Sequence, residues 1–239
     1  EFEFLQFTAR RIGGAYKHEN VFVVGGGGVD ERCDAIGAEV WVHGHRILMP
    51  WIIGGVVQSY TAEVMSICSR GRADVSALDE VAAVCKGADA VISAFNPGWN
   101  NPDIYDETIK VYLTIIDGVK KAGVNRFLMV GGAGSLFIAP GLRLMDSGEV
   151  PENILPGVKA LGEFYLNFLM KEKEIDWVFF SPAADMRPGV RTGRYRLGKD
   201  DMIVDIVGNS HISVEDYAAA MIDELEHPKH HQERFTIGY

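Results

Sequence analysis

The chain has 239 residues, enough for one large α/β domain with a buried core and short for two ordinary enzyme domains. Its 47% hydrophobic and 23% charged residues are globular proportions, which exclude a disordered or fibrous protein. A formal net charge of −10, with no run of five Lys or Arg, argues against nucleic acid or an anionic membrane as partner and leaves a small-molecule substrate.

Residues 1 to 20 read as an atypical N-terminal extension, opening Glu1-Phe2-Glu3-Phe4 with neither a basic stretch nor a small-residue cleavage site, so no signal peptide is expected. Residues 21 to 239 read as one domain. Apolar runs without alternation begin at Val21-Phe22-Val23-Val24 and continue at Glu39 to Val42, Val64 to Cys68, Ala90 to Phe95, Phe127 to Val130 and Trp177 to Phe180. Strands buried on both faces read this way, and their alternation with longer amphipathic segments is the pattern of a Rossmann-type doubly wound parallel sheet.

The stretch Ile47 to Val57 is broken by Pro50, Gly54 and Gly55 and is well short of the ~20 apolar residues that span a bilayer. Ser76, three residues before Asp79, and Gly87 bracket a first helix. Apolar residues at spacings of three and four predict a second helix over 103–123 and a third over 157–173. Pro182 to Ser210 reads as loops and short strands inserted near the carboxyl ends of the sheet. Ser213 is the expected N-cap of a last helix to Glu226, and Phe235-Thr236-Ile237 a closing strand.

The cysteines, Cys33, Cys68 and Cys85, are odd in number and form no C-x-x-C pair, so neither a disulfide framework nor a zinc site is expected and a reducing cytoplasm fits best. His227, His230 and His231 are close in sequence, but Pro228 and the lack of a carboxylate at set spacing favour a solvated helix end over a metal site.

The run Gly25-Gly26-Gly27-Gly28 directly after the first strand is what a dinucleotide diphosphate needs, because bare backbone can approach it and leave N–H groups free. Its spacing matches the first half of the G-x-x-G-x-x-G loop of short-chain dehydrogenases, with Glu31 where the third glycine would stand. A tight turn without ligand is the other reading of such a run. His43, His45 and Arg46, after the second strand, could meet a 2′-phosphate or simply form a solvated turn.

Downstream, several motifs occur in order: Ala73-Asp74-Val75-Ser76, Gly87-Ala88-Asp89-Ala90-Val91-Ile92-Ser93, Val124-Asn125-Arg126-Phe127 into Gly131-Gly132-Ala133-Gly134, Asp176-Trp177 into Ser181-Pro182, and Ile212-Ser213 before Asp216. On these, residues 73 to 239 resemble the atypical short-chain dehydrogenase/reductase family of NAD(P)-binding epimerase/dehydratase or flavin-reductase-like proteins, whereas 1 to 72 match it poorly. The resemblance implies NAD or NADP as cofactor, with Asp74 and Val75 bordering the adenine and Ser93, Ala94 and Phe95 lining the cofactor. It further implies cofactor contacts at Gly131, Gly132, Lys159 and Pro182, and leaves room for a homodimer.

Hydride-moving members of such families place Tyr four residues before Lys, so that the Lys lowers the phenol pKa. Lys159 resembles that lysine, but Leu155 stands where the tyrosine would be. Tyr165, six residues from both Lys159 and Lys171, reads as core. Gly131 and Gly132 replace the usual Ser or Thr, and Ser135 is the nearest hydroxyl, able to bond substrate or its own backbone. The expectation is therefore an NAD(P)-dependent oxidoreductase or epimerase-like isomerase working by hydride transfer without the usual Tyr and Ser, or else a non-catalytic nucleotide sensor. Trp99 and Arg187 are candidate substrate contacts, with loop packing and a surface ion pair to Asp185 as the alternatives.

Overall fold

The computed structural model describes the backbone of residues 2–9, 19–26, 38–42, 45–49 and 68–239, and side chains from Ala73 onward. Contacts divide the chain into two compact units, Glu1–Gly98 with Lys110–Leu128 and Trp99–Ile109 with Met129–Tyr239.

In the first unit β1 (Phe2–Ala9) lies between β2 (Glu19–Gly26) and β5 (Cys68–Ala73), antiparallel to both. The segment read as an extension thus supplies a strand of the sheet. On its other side β2 pairs in parallel with β6 (Ala90–Phe95), giving the order β5-β1-β2-β6. All six residues of β6 are buried, the reason its sequence is apolar throughout rather than alternating. The run expected as a second central strand, β3 (Ala38–Val42), instead pairs with β4 (His45–Met49) as a separate antiparallel hairpin. Its apolar composition is equally that of a hairpin strand, and composition does not choose the partner. The run expected from Val64 is described only from Cys68, where β5 begins.

Helix α1 (Leu78–Cys85) starts later than Ser76 suggests. Its N-cap is Ala77 without a side-chain bond, because the Ser76 hydroxyl donates to Asp74 Oδ1 at 2.6 Å. Asp79 and Glu80 in the first turn complement the helix dipole. Helix α2 (Ile104–Lys121) carries Asp106 and Glu107 at its start and Lys120 and Lys121 at its end, and Gly123 follows with φ 76°. At Gly118 a Cβ would stand 2.4 Å from Val81 Cγ1, so glycine there lets the C-terminal part of α2 close on α1.

In the second unit the order is β7-β10-β14-β12, where β7 (Arg126–Val130) contributes its last two residues. β10 (Asp176–Ser181) and β14 (Glu233–Gly238) are parallel, with Phe180 opposite Phe235, and β12 (Arg196–Gly198) is an antiparallel edge. The fully buried Phe180 ring stacks on Phe235 at 4.0 Å and on Tyr217 at 4.3 Å. Tyr217 belongs to α4 (Val214–Glu226), whose N-cap is Ser213 as its sequence implies: Asp216 N donates to Ser213 Oγ at 3.1 Å. Helix α3 (Leu155–Asn167) ends before the predicted Lys173, with a single 3₁₀ turn over Leu169–Lys171 following it. Two short pairs complete the unit: β8 (Phe137–Ala139) with β9 (Leu142–Arg143), and β11 (Asp185–Arg187) with β13 (His211–Ser213). Parallel strands with helices between them make this an α/β fold of the Rossmann type.

Candidate nucleotide and substrate site

The first unit brings together part of what the sequence nominates. Parallel pairing sets Val24 opposite Ser93, Gly25 opposite Ala94 and Gly26 opposite Phe95, so the opening of the glycine run lies level with the carboxyl end of β6. Ligands of open α/β sheets bind at such ends. The Phe95 carbonyl accepts the Tyr112 hydroxyl at 2.9 Å, and the two rings meet edge to face at 5.7 Å, which anchors the strand end to α2. Burial pushes the Tyr112 phenol well above its usual range, so it stays protonated and keeps donating. Gly27 and Gly28 lie outside the described residues, as do His43 and the side chains of His45 and Arg46.

Beyond β5, Asp74 Oδ1 accepts from the hydroxyl and the backbone N–H of Ser76, and these bonds hold its carboxyl below the usual carboxylate range. The Asp74 N–H in turn donates to Glu80 Oε2 at 2.8 Å. Asp74 is thereby fixed as an acceptor at the start of α1, and Val75 beside it is buried.

In the second unit Gly131 follows β7, its N–H donating to the Phe180 carbonyl at 2.8 Å. A Cβ on it would lie 2.6 Å from the Phe179 ring, and one on Gly132 would lie 3.0 Å from Leu161 Cδ2. Gly131 is filled against by the core, whereas Gly132 faces a movable methyl. Ser135 is fully buried, and its Oγ accepts from Arg234 Nη1 at 2.8 Å. Arg234 also donates through Nε and Nη2 to Asp200 Oδ1 and lies 4.7 Å over the Tyr165 ring. Tyr165 is core, stacked on Phe179 at 4.6 Å.

Lys159 sits one turn into α3, half-buried, with no hydrogen bond or ion pair among the described residues. Trp99 is 45% exposed and rests on Gly157 of the same helix, where a Cβ would come within 2.9 Å of its ring. Close by, Tyr105 donates to Glu163 Oε2 at 2.5 Å, which raises the phenol pKa. Pro182 is buried at the end of β10. Arg187 is exposed and paired to Asp185 at 2.6 Å, while Arg196 donates to the carbonyls of Val204 and Tyr239. The histidines part company: His230 bonds Glu224 at 2.7 Å and His231 bonds Asp176 at 2.8 Å.

Sequence reasoning missed a pocket of about 450 Å³ in this unit. Ile138, Leu144 and Glu149 reach it from the segment after β7, Ala184 and Asp185 from the segment after β10, and Met202 with Gly208 to His211 from the inserted loops. It also missed a buried carboxylate that ties those loops down: Asp216 accepts from Thr192 Oγ1 at 2.6 Å, Gly193 N at 2.8 Å and Tyr239 Oη at 2.6 Å. Only the tendency of the 182–210 region toward Gly, Arg and Asp hinted at a loop-built site.

Glycine backbone level with small residues at the carboxyl end of parallel strands, above a Rossmann-type sheet, defines a dinucleotide-binding protein. A family model for NAD(P)H-binding domains matches residues 68–228, and the chain belongs to that family. Its cofactor is NAD or NADP. The chain is 45% identical over 155 residues to the uncharacterized protein YwnB of Bacillus subtilis, covering 64% of this chain and 71% of that one. Among solved structures it resembles a protein of Bacteroides thetaiotaomicron provisionally named an epimerase, with 95% identity, TM-score 0.67 and coverage of 70% and 74% of the two chains. It also resembles a protein of Streptococcus pneumoniae provisionally named an NADH-flavin reductase, with 34% identity, TM-score 0.58 and coverage of 70% and 78%. No helix among the described residues is long and apolar enough to cross a membrane.

The residues present fit a dinucleotide. Gly25 and Gly26 offer backbone without side chains beside Ala94.

Proposed function

We propose that the chain is an NAD(P)-dependent oxidoreductase or epimerase-like enzyme that transfers hydride between a nicotinamide and a small molecule. The observation that carries this reading is the parallel register of β2 and β6, which sets Gly25 and Gly26 level with Ala94 and Phe95. When bound, the nicotinamide supplies the hydride. Gly25 to Gly28 lie along the diphosphate, Asp74 and Val75 border the adenine, Ser93 to Phe95 line the cofactor, and the Lys159 ammonium binds ribose hydroxyls. Gly132 and Pro182 are further contacts proposed for the cofactor, and Trp99 a contact proposed for the substrate.

Leu155 stands one turn before Lys159, and Ser135 Oγ is engaged by Arg234, so positioning in a dry site carries the reaction rather than a tyrosine or serine acid. The same two facts favour a second reading, a sensor that binds NAD or NADP without turnover.

Incubating the purified chain with NADH or NADPH and a panel of flavins, quinones and sugar nucleotides, while following absorbance of the reduced nicotinamide, separates the two. Turnover with one acceptor supports the enzyme. Tight binding of one redox form with no turnover on any acceptor supports the sensor, and both readings require that Gly28→Trp abolish nucleotide binding.

A further inference from the structure

The pocket in the second unit has a polarity that selects its ligand. Part of its lining is apolar: Ile138, Leu144, Ala184 and Met202. The rest is polar: the carboxylates of Glu149 and Asp185, which only accept, and Asn209, Ser210 and His211. Glu149 is exposed, and its carboxylate has no hydrogen bond or ion pair among the described residues.

Most backbone donors of this lining are already committed, while the Ser210 hydroxyl accepts from Ala184 N and keeps its own proton to donate. The Leu144 and Met202 N–H groups donate to the Leu136 and Phe137 carbonyls, and Glu149 N donates to Ser147 Oγ. Ala184 N and Asp185 N both donate to Ser210, through its Oγ and its carbonyl. Gly208 N and Asn209 N turn inward to Asp205. The described lining contains no Lys or Arg, and its imidazole, His211, lies 3.3 Å from Asp205. Two guanidiniums flank the lining in sequence: Arg143, next to Leu144, lies 4.9 Å over the Phe137 ring, and Arg187 is paired with Asp185 at 2.6 Å. A phosphate or carboxylate entering here would meet the carboxylates of Glu149 and Asp185 and few free donors to replace its hydration.

We propose that this pocket binds a small molecule with an apolar body and a protonated amino group, the body against Ile138, Leu144 and Met202 and the ammonium against Glu149. The inference rests on the functional reading above, to which it adds the chemical class of the small molecule. The pocket lies at segments that follow the carboxyl ends of β7 and β10, where α/β sheets accept ligands. Its volume of about 450 Å³ is within the range of small-molecule sites.

The test uses the full chain, with n-hexylammonium and n-hexanoate as probes at one ionic strength, read by ligand-observed NMR and titration calorimetry. Hexylammonium should bind and hexanoate should not, and shortening hexyl to butyl should weaken binding about two- to fourfold per methylene removed. Glu149→Gln should weaken hexylammonium about threefold, since the pair is solvent-exposed. Glu149→Lys should reverse the preference in favour of hexanoate, and because residue 149 is exposed both variants should keep the parent's melting temperature. Equal binding of the two probes, no binding of either, or an unchanged preference in Glu149→Lys overturns the proposal. NADPH affinity measured on the same samples keeps the outcomes apart. Intact nucleotide binding with no ammonium preference sinks the pocket assignment alone, and lost nucleotide binding with the preference retained sinks the enzyme reading alone.

Discussion

Replacing Gly131 by Ala tests whether that glycine serves the core. Its φ is not positive, so the substitution brings no backbone strain and its effect is steric. The new Cβ would stand 2.6 Å from Phe179 Cε1 and 2.9 Å from both Cδ1 and Cζ, so the ring must retreat by several tenths of an ångström. It has little room: Phe179 is fully buried, with the Tyr165 ring stacked at 4.6 Å and Trp177 edge-on to Tyr165 at 6.3 Å. Overpacking a filled core costs about 1–3 kcal/mol, and contact with three ring atoms at once argues for about 2 kcal/mol. For a chain of this size that is a fall of roughly 4–8 °C in Tm, or about 1 M in the urea midpoint. Thermal and urea unfolding of the nucleotide-free protein measure it, with Gly132→Ala as the partner variant. There the neighbour is a terminal methyl of half-buried Leu161 at 3.0 Å, which can rotate away, so a change within about 0.5 kcal/mol is expected. Equal stability of the two variants, or a larger loss at Gly132, would refute the reasoning.

At Asp216 burial pushes the carboxyl pKa up, but the bonds from Thr192, Tyr239 and Gly193 outweigh it and leave the folded value below the unfolded one. A depressed folded pKa adds stability that is present above the unfolded value, about 4, and is lost as pH falls through the folded value. Asp216→Asn should therefore cost about 1–3 kcal/mol at pH 7, with the gap to the parent closing in acid, as melting curves against pH would reveal. Ser135→Ala leaves Arg234 Nη1 without its partner in the core, so about 1–3 kcal/mol of stability should go while nucleotide affinity measured by calorimetry stays put. Lys159→Met should do the opposite, weakening NADPH about tenfold in a fluorescence titration with Tm unchanged, because no described residue depends on that ammonium. Desolvation pushes the Cys85 thiol up to about 12, so iodoacetamide followed by peptide mass spectrometry should find it alkylated only after unfolding.

What the sequence disclosed was whatever chemistry operates within one element. The unbroken apolar run Ala90 to Phe95 is buried on both faces, and Ser213 caps α4, because burial and capping each act over a few neighbouring residues. The same local logic misplaced the start of α1, since the Ser76 hydroxyl, expected to accept a backbone N–H as the cap, instead turns to donate to Asp74. Partnership across the chain left no trace. Nothing in the run Ala38 to Val42 distinguishes a hairpin strand from a central one, and that choice depends on residues elsewhere. Ser135 and Arg234 are 99 residues apart, Tyr105 and Glu163 58 apart, so no spacing rule could have paired them.

The candidate site follows this division. The strand-end backbone of the first unit, Gly25 and Gly26 level with Ala94 and Phe95, was legible because a dinucleotide needs glycine there. The proposed ammonium pocket of the second unit is built from side chains on separate loops, and the selectivity proposed for it depends on which N–H groups those loops have already used among themselves. A donor's commitment exists only once the chain is folded. The class of molecule a site of this kind accepts is therefore a property of three-dimensional bookkeeping, whereas the class of cofactor is already written in the order of residues.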